Sequence, residues 1–185
     1  MPKKLLFIIG SNRKNSFNRQ LAQQIISLVG TRAECAFLDY SDVPVFCQDD
    51  EYPPSAELVR LRDTVANADA LWLLTPEYNG SYPGLLKNVL DWLSRPVTRN
   101  DYSTPTVMRG KKMTISGAAG KSASIHARNQ LAQLLRFLGA DLYNEVGFGV
   151  VLTPDAFSSD KLVLSDDVQT DLRRFVDGFL SFIQN

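Results

Sequence analysis

The chain is poor in the residues from which common catalytic centres are assembled. Its 185 residues include one histidine, His126, and two cysteines, Cys35 and Cys47. Zinc sites need three or four converging ligands. His126 has no cysteine or carboxylate partner at metal-binding spacing, so it reads as a solvent-facing or capping side chain, and no metal site is expected. The cysteines form neither a CxxC pair nor a disulfide framework and read as reduced structural thiols. An excess of either charge is missing too: lysine plus arginine and aspartate plus glutamate number 20 each. That balance removes the electrostatic footprint of a nucleic-acid binder. Long apolar runs are absent. The N-terminal run Leu5 to Ile9 follows two lysines, is too short for a membrane span and lacks a signal-cleavage pattern. No membrane partner is expected, and the reading is of a cytoplasmic protein. Neither GxGxxG nor GxxxxGK[ST] occurs, so neither a dinucleotide-binding turn nor a nucleotide triphosphatase is indicated. No repeat, low-complexity tract or linker interrupts the sequence, and residues 1–185 are expected to form one domain. The acidic run Asp49, Asp50 and Glu51 reads as solvated loop charge.

What is present is alternation. Lys4 to Ile9 is an unbroken apolar run closed by Gly10, the pattern of a strand covered on both faces. From Asn18 the apolar residues fall at Leu21, Ile25 and Leu28, a helical spacing, with Ser16 upstream as a cap and Gly30 as the stop. A strand at Cys35 to Asp39 and a helix at Ala56 to Ala68 follow. Then come a buried strand at Ala70 to Thr75 and a helical stripe at Leu85 to Leu93. A strand at Lys112 to Ser116, a helix at Ser122 to Leu138, a short strand near Gly147 to Leu152 and a final helix at Asp166 to Ile183 complete the chain. Strand and helix in turn imply an α/β fold with parallel strands and helices on both faces, a three-layer sandwich. Five strands suit a flavodoxin-like sheet of order 2-1-3-4-5, whose ligands bind beyond the carboxyl ends of the strands, where the winding reverses.

Two loops fall at such ends. "GSNRKNSFN", Gly10 to Asn18, joins a strand to a helix N-terminus, where free N–H groups and a partial positive charge accommodate a single phosphate. Ser and Asn also make ordinary capped turns, and spacing alone does not separate the two readings. "TPEYNGSYPG", Thr75 to Gly84, sets Pro76 and Gly80 beside Tyr78 and Tyr82. Their flat faces and polar tips suit a planar heteroaromatic ring; a plain surface turn would use the same turn residues.

"GSNRKNSFNRQLA", "PEYNGSYPGLLKNVLDWLSR" and "ISGAAGKSASIHARNQLAQLLRFLGA" together resemble the NAD(P)H-dependent FMN reductase family, the flavodoxin-like group that includes quinone, chromate and azo-dye reductases. The resemblance spans about Lys4 to Asp141. It implies that Ser11, Arg13, Ser16 and Asn18, with Phe17 among them, bind the phosphate of a tightly bound FMN. Pro76, Glu77, Tyr78, Asn79 and Gly80, with Ser81 beside them, would wrap the isoalloxazine and ribityl chain. A third loop, Ser116 to Lys121, would touch the ring through Ser116 and Gly117. It further implies that NAD(P)H reduces the flavin and that a small-molecule acceptor (quinone, chromate, azo compound or flavin) then takes the electrons. No side chain is assigned a catalytic proton transfer, and a homodimer or homotetramer is expected. The alternative is an electron-transfer flavodoxin that docks on redox partners. The neutral charge balance suits it less well, since flavodoxins are usually strongly acidic.

Overall fold

Leu5, Phe7 and Ile9 pack into one apolar cluster and Leu6 and Ile8 into another, and all five are buried. A strand whose two faces are both apolar needs cover on both sides, which is why an unbroken run rather than an alternating one marks it. In the computed structural model, which describes residues 2–184, this is β1 (Lys3–Ile9). It pairs in parallel with β2 (Ala33–Phe37) on one side and β3 (Ala70–Leu74) on the other. β4 (Lys112–Ala119) follows β3, and the order is β2-β1-β3-β4-β5. The expected order 2-1-3-4-5 and the α/β class therefore describe the sheet.

The fifth position differs from the single short strand expected near Gly147 to Leu152. It is broken into β5 (Asp141–Leu142), opposite Lys112 and Met113, and β6 (Phe148–Val151), opposite Ser116 to Ala119. The break has a side-chain cause on each side. Asn144 Oδ1 accepts from Val146 N at 3.2 Å and Gly147 N at 3.3 Å, a local turn that takes the chain out of the ladder. The buried Arg128 guanidinium donates to the Val146 and Gly147 carbonyls at 2.5 and 3.0 Å, satisfying oxygens the sheet has lost. Because β6 prolongs the ladder, β4 reaches Ala119, three residues beyond the strand expected from the sequence.

Helices α1 (Phe17–Val29) and α6 (Asp166–Gln184) cover one face, packing on Phe7, Trp72 and Leu74. Helices α2 (Ala56–Ala66), α3 (Gly84–Leu93) and α4 (Ile125–Phe137) cover the other. Trp72 anchors the first layer. Its ring stacks on Phe7 at 5.8 Å and meets Phe179 edge-on at 5.1 Å. A short helix after β6, α5 (Pro154–Ser159), is a further element the apolar spacing did not indicate.

The acidic run corrects one expectation. Glu51 is buried rather than solvated, and Arg95 Nη2 donates to its Oε2 at 3.2 Å, with Arg95 Nε 2.5 Å from Oε1. Arg62 is buried beside this pair with no hydrogen-bond partner for its guanidinium among the described residues, and burial lowers its pKa. The Pro-rich loop bends the chain inward there, carrying Glu51 under Arg95 at the end of α3, a long-range contact that no local charge pattern encodes.

Candidate functional site

β1 and β3 are neighbours although β2 lies between them in sequence, so the winding direction reverses between these two strands. The loops leaving their carboxyl ends diverge to opposite faces and open a crevice there. A cleft of about 300 Å³ occupies this place, at the small end of the range typical of small-molecule sites. It is lined by Ser11, Arg13, Ser16, Phe17 and Asn18 from the first loop and the start of α1, and by Pro76, Glu77 and Tyr78 from the second loop. Ala118, Ala119 and Gly120 at the end of β4, with Leu152 and Phe157, complete the wall.

The first loop is built as a donor cradle. The buried Ser16 is the N-cap of α1, its hydroxyl accepting from Arg19 N at 3.4 Å. The helix start therefore faces the cleft with first-turn N–H groups that no intrahelical carbonyl satisfies. Ser11 Oγ accepts from Arg13 N at 3.3 Å, which folds the loop back on itself. Arg13 lies over the Phe17 ring at 5.0 Å, donates to the Asn15 carbonyl at 2.7 Å and pairs with Asp160. Asn18 lines the cleft, but its amide is already engaged: Nδ2 donates to Ala118 O at 3.1 Å and Oδ1 accepts from Ala118 N at 2.9 Å. It ties α1 to the end of β4 and holds the first and third walls in register.

The second loop supplies a different surface. Tyr78 and Ser81 exchange both backbone hydrogen bonds at 3.0 Å, and the residues between them, Asn79 and Gly80, have φ of 53° and 74°. This is a two-residue hairpin turn with positive φ at both central positions, for which Asn-Gly is the preferred pair. Gln130 of α4 pins it, donating to Gly80 O at 2.9 Å while accepting from Ser81 Oγ at 2.7 Å. Asn79, Gly80 and Ser81 thus form a projecting tip outside the cleft wall, whereas Pro76, Glu77 and Tyr78 lie on it. The Glu77 carboxylate caps α4, accepting from His126 N at 2.9 Å and Ala127 N at 3.1 Å. Burial raises its pKa, but hydrogen bonds from Ser122, Ala127 and His126 outweigh burial and the net shift is downward. It is a charged group fixed to a helix N-terminus.

The third expected loop, Ser116 to Lys121, meets the cleft through Ala118, Ala119 and Gly120. Ser116 and Gly117 lie inside β4, fully paired with β6, and do not line the cleft. Ser116 Oγ accepts from the Trp72 indole N–H at 2.9 Å in the core. Gly117 is where Ser124 and the Thr75 carbonyl close in, and a Cβ there would collide with both. The cleft surface begins one residue later, at Ala118. Also missed were Leu152 and Phe157. "TPDA" at 153–156 carried the signal: Thr153 caps α5 with Pro154 at its first position and Asp155 in its first turn.

Such a cleft can take a ligand with an anionic end and a flat body. The α1 terminus, hydroxyls and an arginine lie at one end, and Pro76, Tyr78 and a small-residue floor at the other. The cradle fits a phosphate, because the Ser16 cap and the Ser11 turn fix the loop and the Phe17 ring and Asn15 carbonyl hold the Arg13 guanidinium before any ligand arrives. No group of three or more histidine, cysteine or carboxylate side chains able to hold a metal occurs among the described residues. His126 is exposed and donates its backbone N–H to Glu77.

Comparison with known proteins agrees with this geometry. The family model described as NADPH-dependent FMN reductase matches residues 3–152. The chain is 35% identical to an NAD(P)H-dependent FMN reductase of Pseudomonas aeruginosa over 88% of its length and 85% of that protein. It is 30% identical to a 2-hydroxy-1,4-benzoquinone reductase of a Burkholderia species over 100% and 98% of the two chains. Among solved structures, the flavoenzyme NAD(P)H:(acceptor) oxidoreductase FerB of Paracoccus denitrificans superposes with a TM-score of 0.85 at 29% identity, covering 98% and 97% of the two chains. The strand order is that of the flavodoxin-like fold.

Proposed function

The chain belongs to the NADPH-dependent FMN reductase family, and from that membership we propose that it passes hydride from NAD(P)H to bound FMN and the electrons onward to a quinone. The observation that carries this reading is the convergence of a phosphate cradle and a tyrosine-lined wall on one cleft at the switch between β1 and β3.

Ser11, Arg13, Ser16 and the first turn of α1, with Phe17 beside them, would hold the phosphate. Pro76, Glu77 and Tyr78 would flank the ring through backbone groups that the Glu77–α4 contact keeps in place. Asn79, Gly80 and Ser81 shape the outer rim through their turn. Ser116 and Gly117 support the wall from behind. Bound FMN would supply the redox chemistry, accepting two electrons and a hydrogen from NAD(P)H and giving them up to the acceptor. The side chains have the other tasks: to bind, to orient and to set fixed dipoles beside the ring, with no side chain assigned a proton transfer. One FMN-binding domain over residues 1–185 carries the activity. Chromate, azo compounds and free flavin are further acceptors that an open ring face accommodates.

We further propose a homodimer or homotetramer. Val97, Tyr102 and Phe137 are exposed, Phe137 at 86%, and the last two border a groove of about 520 Å³. Exposed apolar surface of this kind suits a second copy. No helix among the described residues is long and apolar enough to cross a membrane. The test is anaerobic mixing of the flavin-loaded protein with NADPH or NADH, followed by 1,4-benzoquinone. Bleaching of the flavin absorbance and its return on adding quinone are expected, and an absorbance indifferent to both nicotinamides would overturn the proposal.

A further inference from the structure

The segment after β6 is strapped across the first loop. Thr153 Oγ1 accepts from Ala156 N at 3.2 Å and starts α5. Phe157 meets Phe17 edge-on at 5.6 Å. Beyond it Gln20 of α1 grips the chain twice: Nε2 donates to Asp160 O at 3.1 Å and Oε1 accepts from Leu162 N at 2.8 Å. The strap brings the Asp160 carboxylate onto the phosphate cradle, where it accepts from Arg13 Nη2 and, at 2.8 Å, from Asn15 Nδ2. Those hydrogen bonds, from Asn15 first and then Arg13, hold the carboxyl below the usual carboxylate range, so it is charged at neutral pH. An anion belonging to the chain therefore already sits on two polar groups of the loop read as the phosphate site.

We propose that Asp160 is an internal competitor of the cofactor's phosphate for Arg13, and so limits how much affinity the phosphate end contributes. This rests on the flavin reading above. The alternative role, that Asp160 only positions Arg13, is less favoured by the contacts. The Arg13 guanidinium is held independently by the Asn15 carbonyl at 2.7 Å and the Phe17 ring at 5.0 Å, and Gln20 holds the Asp160 backbone. Replacing the carboxylate by its amide thus removes charge and leaves the scaffold in place. Two anions sharing one guanidinium repel each other, and neutralising one returns the full cation to the other. The pair is partly exposed, with side-chain exposures of 48% for Arg13 and 34% for Asp160. Water therefore screens it, and the effect is a few-fold rather than a thousand-fold.

The test is fluorescence titration of the flavin-free full chain with FMN and with riboflavin, which lacks the phosphate. The variants are Asp160→Asn, Arg13→Gln and the double substitution. The expected result is FMN binding about fivefold tighter in Asp160→Asn, riboflavin binding unchanged, and a smaller gain when Arg13 is already replaced. FMN binding that is unchanged or weaker overturns the proposal, and so does an equal gain for both flavins. Asp160→Ser carries the same signed expectation and serves if the amide variant melts early. A wild-type chain that takes up neither flavin overturns the flavin reading itself. The competition is then read with inorganic phosphate alone, which must raise the melting temperature more in Asp160→Asn than in wild type; an equal rise overturns it.

Discussion

Gly10-Ser11 and Ser116-Gly117 are two glycine–serine pairs near the carboxyl ends of β1 and β4, and the fold uses them in opposite ways. The β1 ladder ends with Gly10 N donating to Leu74 O at 2.8 Å, after which Ser11 turns back on Ile9 and faces the cleft. On β4 the ladder to β3 still covers Ser116, with Thr75 N donating to Ser116 O at 2.9 Å. Its serine therefore satisfies Trp72 in the core, and its glycine makes room for Ser124 and Thr75. Residue type near a strand end does not decide which pair meets a ligand. What decides is where β3 stops pairing: its hydrogen bonds reach Gly10 on one side and Ser116 on the other, and the cleft surface opens beyond them, at Ser11 and at Ala118.

This contrast can be broken most forcefully at Gly117. Gly117→Ala puts a methyl group against the Thr75 carbonyl and the Ser124 side chain, and overpacking of this kind costs about 3 kcal/mol. Urea denaturation is expected to show that loss. A neutral substitution would mean that β4 is looser than described and that Gly117 stands nearer the ligand. Ser116→Ala is the next largest. It leaves the buried Trp72 N–H without its acceptor and is expected to lower stability by about 2 kcal/mol, while the FMN dissociation constant stays unchanged. Weaker FMN binding at unchanged stability would return Ser116 to the cleft.

Glu77→Gln is expected to have a smaller effect and adds pH dependence. Loss of the charge at the α4 N-terminus costs about 1 kcal/mol near neutral pH. The Glu77 carboxyl titrates below its ordinary value in the folded chain. Its contribution is therefore present above the usual carboxylate range and lost as pH falls through the folded pKa. The stability gap between wild type and variant, measured by denaturation across pH, should be flat around neutrality and close on the acid side. A gap independent of pH would remove the carboxylate from the role of cap.

The same contrast explains how much was legible in sequence. Unbroken apolar runs gave β1 and β3, since a strand buried on both faces has to be apolar at every position. Ser16 and Gly30 marked α1 because capping is local chemistry. The site residues of the first loop lie on one cleft, as do Pro76, Glu77 and Tyr78. The rest depended on contacts distant in the chain. The length of β4 is set by β6, some thirty residues on. The engagement of the Asn18 amide is set by Ala118, the burial of Glu51 by Arg95, and the ion pair of Arg13 by Asp160. None of these partnerships leaves a periodic trace, so elements set by local chemistry are legible in the sequence and those set across the fold are not.

The most direct measurement is a crystal structure of the chain grown with FMN. One flavin per chain is expected in the cleft between β1 and β3, with its phosphate on Ser11, Arg13, Ser16 and the α1 N-terminus and its ring along Pro76 to Tyr78. An empty cleft at saturating FMN, or a flavin bound elsewhere on the surface, would contradict the assignment.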